Sequence, residues 1–291
     1  MVKSNLKEKK AQSKANLKVV DSNAVKTTAY SDINLKKWRE YDHVKTDTLW
    51  EFPNRLKEGG HSNEYHGNYI PQIAQQIYER YTKKNDIVLD LFFGSGTSGI
   101  EAINMGRRCI GVELKDDLAE SVSEKFTPKQ LVTDVNIICA DSASQLAKEK
   151  IEARLDIMGR KNAQLLMLHP PYDDIIKFSD KKEDLSNCAT TEEFYDLFEK
   201  VAKNGYDLLE KGRFACLIIG DKYANSQHIP LGFECMARMN KLGFITKAII
   251  IKDMQGNERA KGKTANLWRY RALAGGFYIF KHEYVMVFQK V

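Results

Sequence analysis

The sequence predicts an α/β protein whose core is a seven-stranded, mostly parallel sheet, and three observations carry that prediction. The first is Leu165-Leu166-Met167-Leu168, four apolar residues stopped by His169-Pro170-Pro171-Tyr172. A proline has no N–H with which to continue a central ladder, so the run reads as a buried strand whose end faces a pocket. The second is Ile87 to Phe93, a strand pattern that passes straight into Gly94-Ser95-Gly96-Thr97-Ser98-Gly99 and then a helical pattern from Ile100 to Met105. The third is the repetition of strand and helix at this spacing, which calls for parallel strands joined by right-handed crossovers. In an open sheet of that kind, ligands sit at the carboxyl ends of the strands.

Taken in order, Met1 to Lys18 is polar and lysine-rich with no apolar period, and reads as a disordered basic arm. Aromatic residues return between Trp38 and Phe52, and Lys57-Glu58-Gly59-Gly60 marks a break. Residues 1–60 are therefore expected to form a partly disordered N-terminal basic extension, and residues 61–291 one domain. Pro71 to Tyr81 has apolar residues at helical spacing with a proline at its start, where the missing N–H costs nothing. Arg108 to Val112 is the next strand, ending at Glu113, and Val135 to Ala140 the one after, ending at Asp141. Thr190-Thr191-Glu192-Glu193 resembles a capping box, followed by a helical stripe of Phe194, Leu197, Phe198, Val201, Leu208 and Leu209, with Gly212 as the stop. Phe214 to Ile219, Thr246 to Ile251 and Tyr284 to Phe288 complete the strands, the last two separated by a long basic segment.

With 291 residues, 43% of them hydrophobic, the chain can bury one large α/β core. The net charge of +6 permits an anionic partner such as nucleic acid without requiring one. Cys109, Cys139, Cys188, Cys216 and Cys235 are scattered, with no C-x-x-C pair and no zinc-type spacing, which fits reduced thiols in a cytoplasmic protein and no metal site. The lysine-rich start lacks an apolar segment, and no run approaches the ~18 apolar residues of a membrane span, so neither secretion nor a membrane partner is expected.

Gly94-x-Gly96-x-x-Gly99 between a strand and a helix fits a nucleotide-cofactor loop, and Glu113 at the end of the next strand can hold ribose hydroxyls. Asp90, just before the loop, suits the cationic amine of a methionine moiety better than a pyrophosphate. Asp141 can accept from an adenine amino group. A dinucleotide dehydrogenase remains open only if Pro170-Pro171-Tyr172 is a coincidence.

Asp90-Leu91-Phe92-Phe93-Gly94-Ser95-Gly96-Thr97, with Glu113 and Asp141, resembles the cofactor half of the S-adenosylmethionine-dependent DNA amino-methyltransferases, which act on adenine N6 or cytosine N4. His169-Pro170-Pro171-Tyr172 is similar to that family's Asp/Asn/Ser-Pro-Pro-Tyr tetrapeptide. His66-Gly67-Asn68-Tyr69-Ile70-Pro71 is similar to the segment that closes over the methionine end, and Lys281 to Phe288 to the final strand. The likeness runs from about Glu64 to Val291, and its specificity lies in the joint order of the motifs. It implies a Rossmann-like class I methyltransferase fold for residues 61–291 and S-adenosyl-L-methionine as cofactor. The implied cofactor contacts are Asn68, Tyr69, Ile70, Asp90, Phe92, Gly94, Ser95, Gly96, Thr97, Glu113, Leu114, Asp141 and Ser142, and the implied catalytic residues His169, Pro170, Pro171 and Tyr172.

An aromatic amine is a poor nucleophile because its lone pair is delocalised into the ring. Acceptors that hold both of its N–H groups, one on residue 169 and one on the Pro170 carbonyl, favour a tetrahedral nitrogen with the lone pair aimed at the methyl group. Tyr172 offers a face to a flipped-out base. His169 departs from the family pattern and removes the usual clue to the target base. Neutral imidazole has one acceptor nitrogen and imidazolium none, so the expectation is that His169 works only when neutral.

Arg259, Lys261, Lys263, Arg269 and Arg271, interleaved with Trp268 and Tyr270, suit contact with phosphates and unstacked bases, and Lys177 lies near the pocket mouth. The expected function is DNA methylation at an exocyclic amine, adenine N6 ahead of cytosine N4, within a restriction-modification or host-defence system. An RNA methyltransferase and an inactive nucleic-acid-binding subunit are the alternatives. Little of the chain is left for a recognition domain, so a homodimer or a specificity partner is also considered.

Overall fold

The computed structural model describes residues 27–61, 67–126, 134–254 and 265–291, with side chains described from residue 268 in the last stretch. Its ten strands are β1 (Leu49–Trp50), β2 (Ile87–Asp90), β3 (Arg108–Glu113), β4 (Val135–Cys139), β5 (Ala163–Leu168), β6 (Leu209–Ile219), β7 (Lys222–Ala224), β8 (Gln227–Ile229), β9 (Phe244–Asp253) and β10 (His282–Lys290). The helices are α1 (Pro71–Tyr81), α2 (Thr97–Asn104), α3 (Asp116–Phe126), α4 (Gln145–Ile157), α5 (Thr191–Leu208), α6 (Leu231–Lys241) and α7 (Ala265–Gly275). Eight strands form one sheet in the order β1-β9-β10-β6-β5-β2-β3-β4, and β7 and β8 form a separate hairpin. Every neighbouring pair in the large sheet is parallel except those made by β10, which runs against both β6 and β9.

Both faces of the sheet are covered, which is why its strands read as unbroken apolar runs. Side chains alternate between two cores along each central strand. Leu166, Leu168, Ala215, Leu217, Met286 and Phe288 face one core with Ile151 of α4, Phe194 and Phe198 of α5 and Cys235 of α6. Leu165, Met167, Cys216, Ile218, Val285 and Val287 face the other with Ile73 and Ile77 of α1, Ala102 of α2 and Val122 of α3. The result is the doubly wound, Rossmann-like sandwich that the alternation of elements predicts.

All seven expected strands are present, and α1 has the expected bounds. Four details differ. β2 stops at Asp90 because the Asp90 carboxylate takes the Phe92 N–H at 2.9 Å and the Phe93 N–H turns to the Val112 carbonyl at 3.0 Å. α2 begins at Thr97, directly after Gly96, whose φ of +90° is the left-handed turn that a glycine adopts without strain. α5 ends at Leu208 and β6 follows at once, so Gly212 does not stop the helix. Its φ of +82° instead sits inside β6, where the pairing with β5 shifts register. Finally, the short β1 adds an eighth strand: Leu49 and Trp50 pair with Ile251 and Lys252, and the Trp50 side chain is buried. The stretch read as an extension thus gives the sheet an edge strand and a core side chain. The basic arm from Met1 to Lys18 lies outside the described residues.

Gly111 in β3 is where backbone and ring approach closest, since a Cβ there would lie 2.2 Å from the Phe93 ring. Gly111→Ala should lower stability by about 1–3 kcal/mol or more, the usual cost of overpacking a tight core. A urea unfolding midpoint unchanged from the parent would contradict this packing.

Candidate active site

The carboxyl ends of β2, β3, β4 and β5 open on a cavity of about 730 Å³. β5 is held on both sides, with Met167 opposite Asp90 of β2 and Leu168 opposite Leu217 of β6. The chain then leaves the sheet as His169-Pro170-Pro171-Tyr172, all four of which line the cavity. Phe92, Gly94 and Thr97 form the wall after β2, Glu113 and Leu114 the end of β3, and Asp141 and Ser142 the turn after β4. Asn68 and Tyr69 close it from the approach to α1. A cavity of this size falls within the range that takes a cofactor or small ligand.

The three predicted acids differ in environment. Glu113 accepts the Gly94 N–H and the Lys115 N–H, each at 2.9 Å, one on each carboxylate oxygen. Burial raises the carboxyl pKa against the pull of these backbone N–H groups. Asp141 takes the Ala143 N–H at 2.9 Å on Oδ1, and burial raises its pKa too. Asp90 does not face the cavity as expected. It is buried beneath the glycine loop, where Oδ1 accepts from the Phe92 N–H and Oδ2 from the Ser98 hydroxyl. Ser98 in turn meets the Tyr69 hydroxyl at 2.5 Å, so Asp90 ties the end of β2 to α2 and to the segment before α1. Burial lifts its pKa to about 6.

At the tetrapeptide, the Tyr172 hydroxyl donates to Glu283 Oε2 at 2.8 Å and lies 3.4 Å from His169 Nε2. Glu283 Oε1 pairs with Lys252 Nζ at 2.9 Å, and both side chains are buried. Burial works to raise the Glu283 pKa, but Lys252, His169 and the Tyr172 hydrogen bond together hold it below its ordinary value. The His169 ring is edge-on to Tyr69 and Tyr172, at 5.3 and 5.7 Å between centroids. Burial, with Lys252 and Arg55 adding to it, lowers the imidazole pKa to about 4 against the pull of Glu283. The ring therefore stays neutral to more acidic pH than an ordinary imidazole. Gly220, following β6, makes room for the Tyr172 ring, since a Cβ there would come within 2.9 Å of it.

Of the remaining predicted residues, Ile70, Ser95 and Gly96 lie behind the wall rather than in it. Ile70 is buried in the core next to α1, and Ser95 accepts from Asn68 Nδ2 at 2.5 Å. Lys177 is exposed and paired with Asp180 at 2.6 Å, away from the lining. Arg259, Lys261 and Lys263 lie outside the described residues. The segment that carries them leaves from β9 and returns to β10, where His282 is opposite Asp253 and Tyr284 opposite both Ile251 and Ile219. These two described strand ends lie at the edge of the sheet where Met254 and Glu283 line the cavity. Within α7, Trp268, Arg269, Tyr270 and Arg271 are exposed, with the Arg271 guanidinium 5.3 Å from the Trp268 ring.

Phe178, expected with Lys177 near the pocket mouth, does line it, whereas sequence reasoning missed Arg55, Lys252, Met254 and Glu283, together with the apolar pair Ile175 and Ile176. All but Lys252 line the cavity. Arg55 donates to the Asn68 carbonyl at 3.0 Å, while its buried Nε has no partner among the described residues and so suits an anionic group. Among the described residues no group of acids, histidines and cysteines could hold a metal ion, and no helix is long and apolar enough to cross a membrane.

A family profile described as DNA methylase matches residues 2–124 and 163–291. The chain is 34% identical over 100 residues to the type III restriction-modification enzyme HindVI Mod subunit of Haemophilus influenzae, covering 33% of this chain and 13% of the relative. It is 31% identical over 84 residues to the type II methyltransferase M.MjaII of Methanocaldococcus jannaschii, covering 27% and 16%. A third match, to the type II methyltransferase M2.LlaDCHI of Lactococcus lactis, is 33% identical over 69 residues and covers 22% and 26%. The chain thus matches at most about a quarter of the length of these relatives. Among solved structures, TrmN from Thermus thermophilus aligns with TM-score 0.48 and 15% identity over 78% of this chain and 50% of its own.

Asp90 sets a testable pH dependence of stability. Its pKa of about 6 in the fold lies above the ordinary 3.8, so the fold prefers the protonated form. That preference is fully present below the unfolded pKa and is lost as pH rises through about 6. Asp90→Asn removes the term, so the variant's stability relative to the parent should improve from pH 4 to pH 8 by an amount on the order of 3 kcal/mol. Urea titrations at both pH values check it; a difference independent of pH would contradict the assignment.

Proposed function

We propose, from the premise that this chain belongs to the N6/N4 DNA methylase family, that it is an S-adenosylmethionine-dependent DNA methyltransferase acting on an exocyclic amine, adenine N6 first and cytosine N4 second. The observation that carries the reading is one cavity shared by the glycine loop, Glu113, Asp141 and His169-Pro170-Pro171-Tyr172. The donor set fits the cofactor. The Glu113 carboxylate lines the cavity as an acceptor for a ribose diol, Asp141 Oδ2 suits an adenine amino group, and Arg55 Nε, without a partner among the described residues, suits a carboxylate. When bound, S-adenosylmethionine supplies a methyl group made electrophilic by its sulfonium.

The chain's own residues then have separate tasks. His169 and the Pro170 carbonyl accept from the target amine and hold it tetrahedral, and the double proline keeps that corner stiff. Tyr172 and the apolar Ile175, Ile176 and Phe178 stack against the extruded base and exclude water. Trp268, Arg269, Tyr270 and Arg271, with Arg259, Lys261 and Lys263, supply the cations and rings that contact phosphates and unpaired bases. The likeness to a restriction-modification Mod subunit supports a role in restriction-modification, a reaction on cellular DNA that belongs in the cytoplasm, and supports a partner subunit.

The test is incubation with methyl-labelled S-adenosylmethionine and unmethylated DNA or RNA, followed by mass spectrometry of the nucleosides. N6-methyladenine or N4-methylcytosine in DNA is the expected product. Label in RNA alone, or donor binding without transfer, overturns the reading. His169→Ala should slow single-turnover transfer by about 10²–10³-fold, the scale of a lost positioned hydrogen-bonding group. Donor affinity should stay within about threefold, because the substitution removes an interaction made in the transition state. With the imidazole pKa at about 4, the parent's single-turnover rate should be flat from pH 6 to 8 and fall only as pH drops towards about 4.

A further inference from the structure

We infer that Glu283, anchored by Lys252, is a positioning residue that acts through Tyr172 to fix which nitrogen of His169 is left bare to accept from the substrate. The inference rests on the role proposed above for His169, but the geometry that carries it belongs to the free protein.

Tyr172 has one hydroxyl proton. Ionised Glu283 can only accept, so at 2.8 Å that proton points at Oε2. The Tyr172 oxygen then faces His169 Nε2, 3.4 Å away, with a lone pair, and a favourable contact there requires Nε2 to carry hydrogen. Nδ1 is left unprotonated. It makes no hydrogen bond to the described residues, and His169 lines the cavity. The groups facing the ring are Tyr69 from before α1, Tyr172, Glu283 of β10, Lys252 of β9 and Arg55. Glu283 is the acid among them, and Lys252, directly opposite it across the β9–β10 ladder, holds its other oxygen. A buried ion pair is often no more stabilising than an apolar pair of the same volume. At this place it gives Tyr172 a fixed acceptor, and so gives the imidazole a fixed orientation of its proton.

Glu283→Gln tests this with little change in volume. Lys252 still donates to the amide oxygen, which turns the amide N–H groups towards Tyr172. The hydroxyl must then accept from Gln and swing its own proton onto His169 Nε2, so the neutral ring moves its hydrogen to Nδ1. Long-range ¹H–¹⁵N spectra of histidine-labelled protein at pH 7, without DNA or donor, read the tautomer directly, with His169→Asn identifying the signal. The parent should show hydrogen on Nε2 and E283Q hydrogen on Nδ1. E283Q should also lower kcat by about 10²-fold or more while leaving KM for DNA and donor within about threefold. Should E283Q fail to fold, Tyr172→Phe breaks the same link and should give a mixture of tautomers. Hydrogen on Nδ1 in the parent, or a tautomer unmoved in a folded variant, overturns the inference. Because the spectra need no turnover, a parent that methylates nothing would instead sink the proposed function and leave this result standing.

Discussion

The end of β5 is fixed from both sides, and the cavity depends on that constraint. Parallel pairing with β2 and β6 carries the strand to Leu168, opposite Leu217, and the double proline then removes the N–H groups that could extend either ladder. His169 therefore leaves the sheet at a defined level, beside the glycine loop that follows β2. A register slip of one residue would exchange Leu166 and Leu168 for Leu165 and Met167 between the two cores, which both face layers of helices packed against them. Packing throughout the domain thus enforces the placement of four residues at its edge.

Around that corner, burial and charge oppose each other in a graded way. Asp90 is kept from ionising easily by burial, and its hydrogen-bond chain through Ser98 reaches Tyr69, whose ring lies edge-on to His169. Glu283 is equally enclosed but has Lys252 beside it, and stays charged. Two buried acids thus flank β6 and β5 in the sheet order, Asp90 anchoring a ring that packs on the imidazole and Glu283 accepting the hydrogen bond of Tyr172 beside it. The same burial that lowers the His169 pKa makes each of these hydrogen bonds count for more than it would in water.

Much of this was legible in the sequence because it is local. Apolar runs ended by Gly94 and by Pro170 mark strand ends, and Glu113 and Asp141 lie at or just beyond such ends, where side chains reach a cavity. The burial of Asp90 was not legible: its neighbours Ser98 and Tyr69 come from separate elements, and only the fold brings them under one loop. Arg55 was passed over because nothing in its own neighbourhood marks it; it reaches the cavity through its bond to the Asn68 carbonyl. Glu283 did leave a signal, as an acid at the start of an otherwise apolar run ending in Phe288. Reading it required the pairing of β10 with β9, which sets Lys252 opposite it.

The direction of β10 gives that pair its meaning. In a wholly parallel sheet, residues at the beginning of a strand lie at the edge far from the ligand, and only strand ends and the loops after them can contribute. β10 runs against both of its neighbours, so its second residue, Glu283, arrives at the same edge as the ends of β5, β6 and β9. It gets there on a rigid strand, flanked by two long ladders, rather than on a loop. A carboxylate asked to hold one hydroxyl proton in place needs that rigidity more than it needs proximity, since an acceptor that wandered by an ångström would let Tyr172 turn its proton elsewhere. The reversed strand is therefore part of the site's construction as well as of the sheet's.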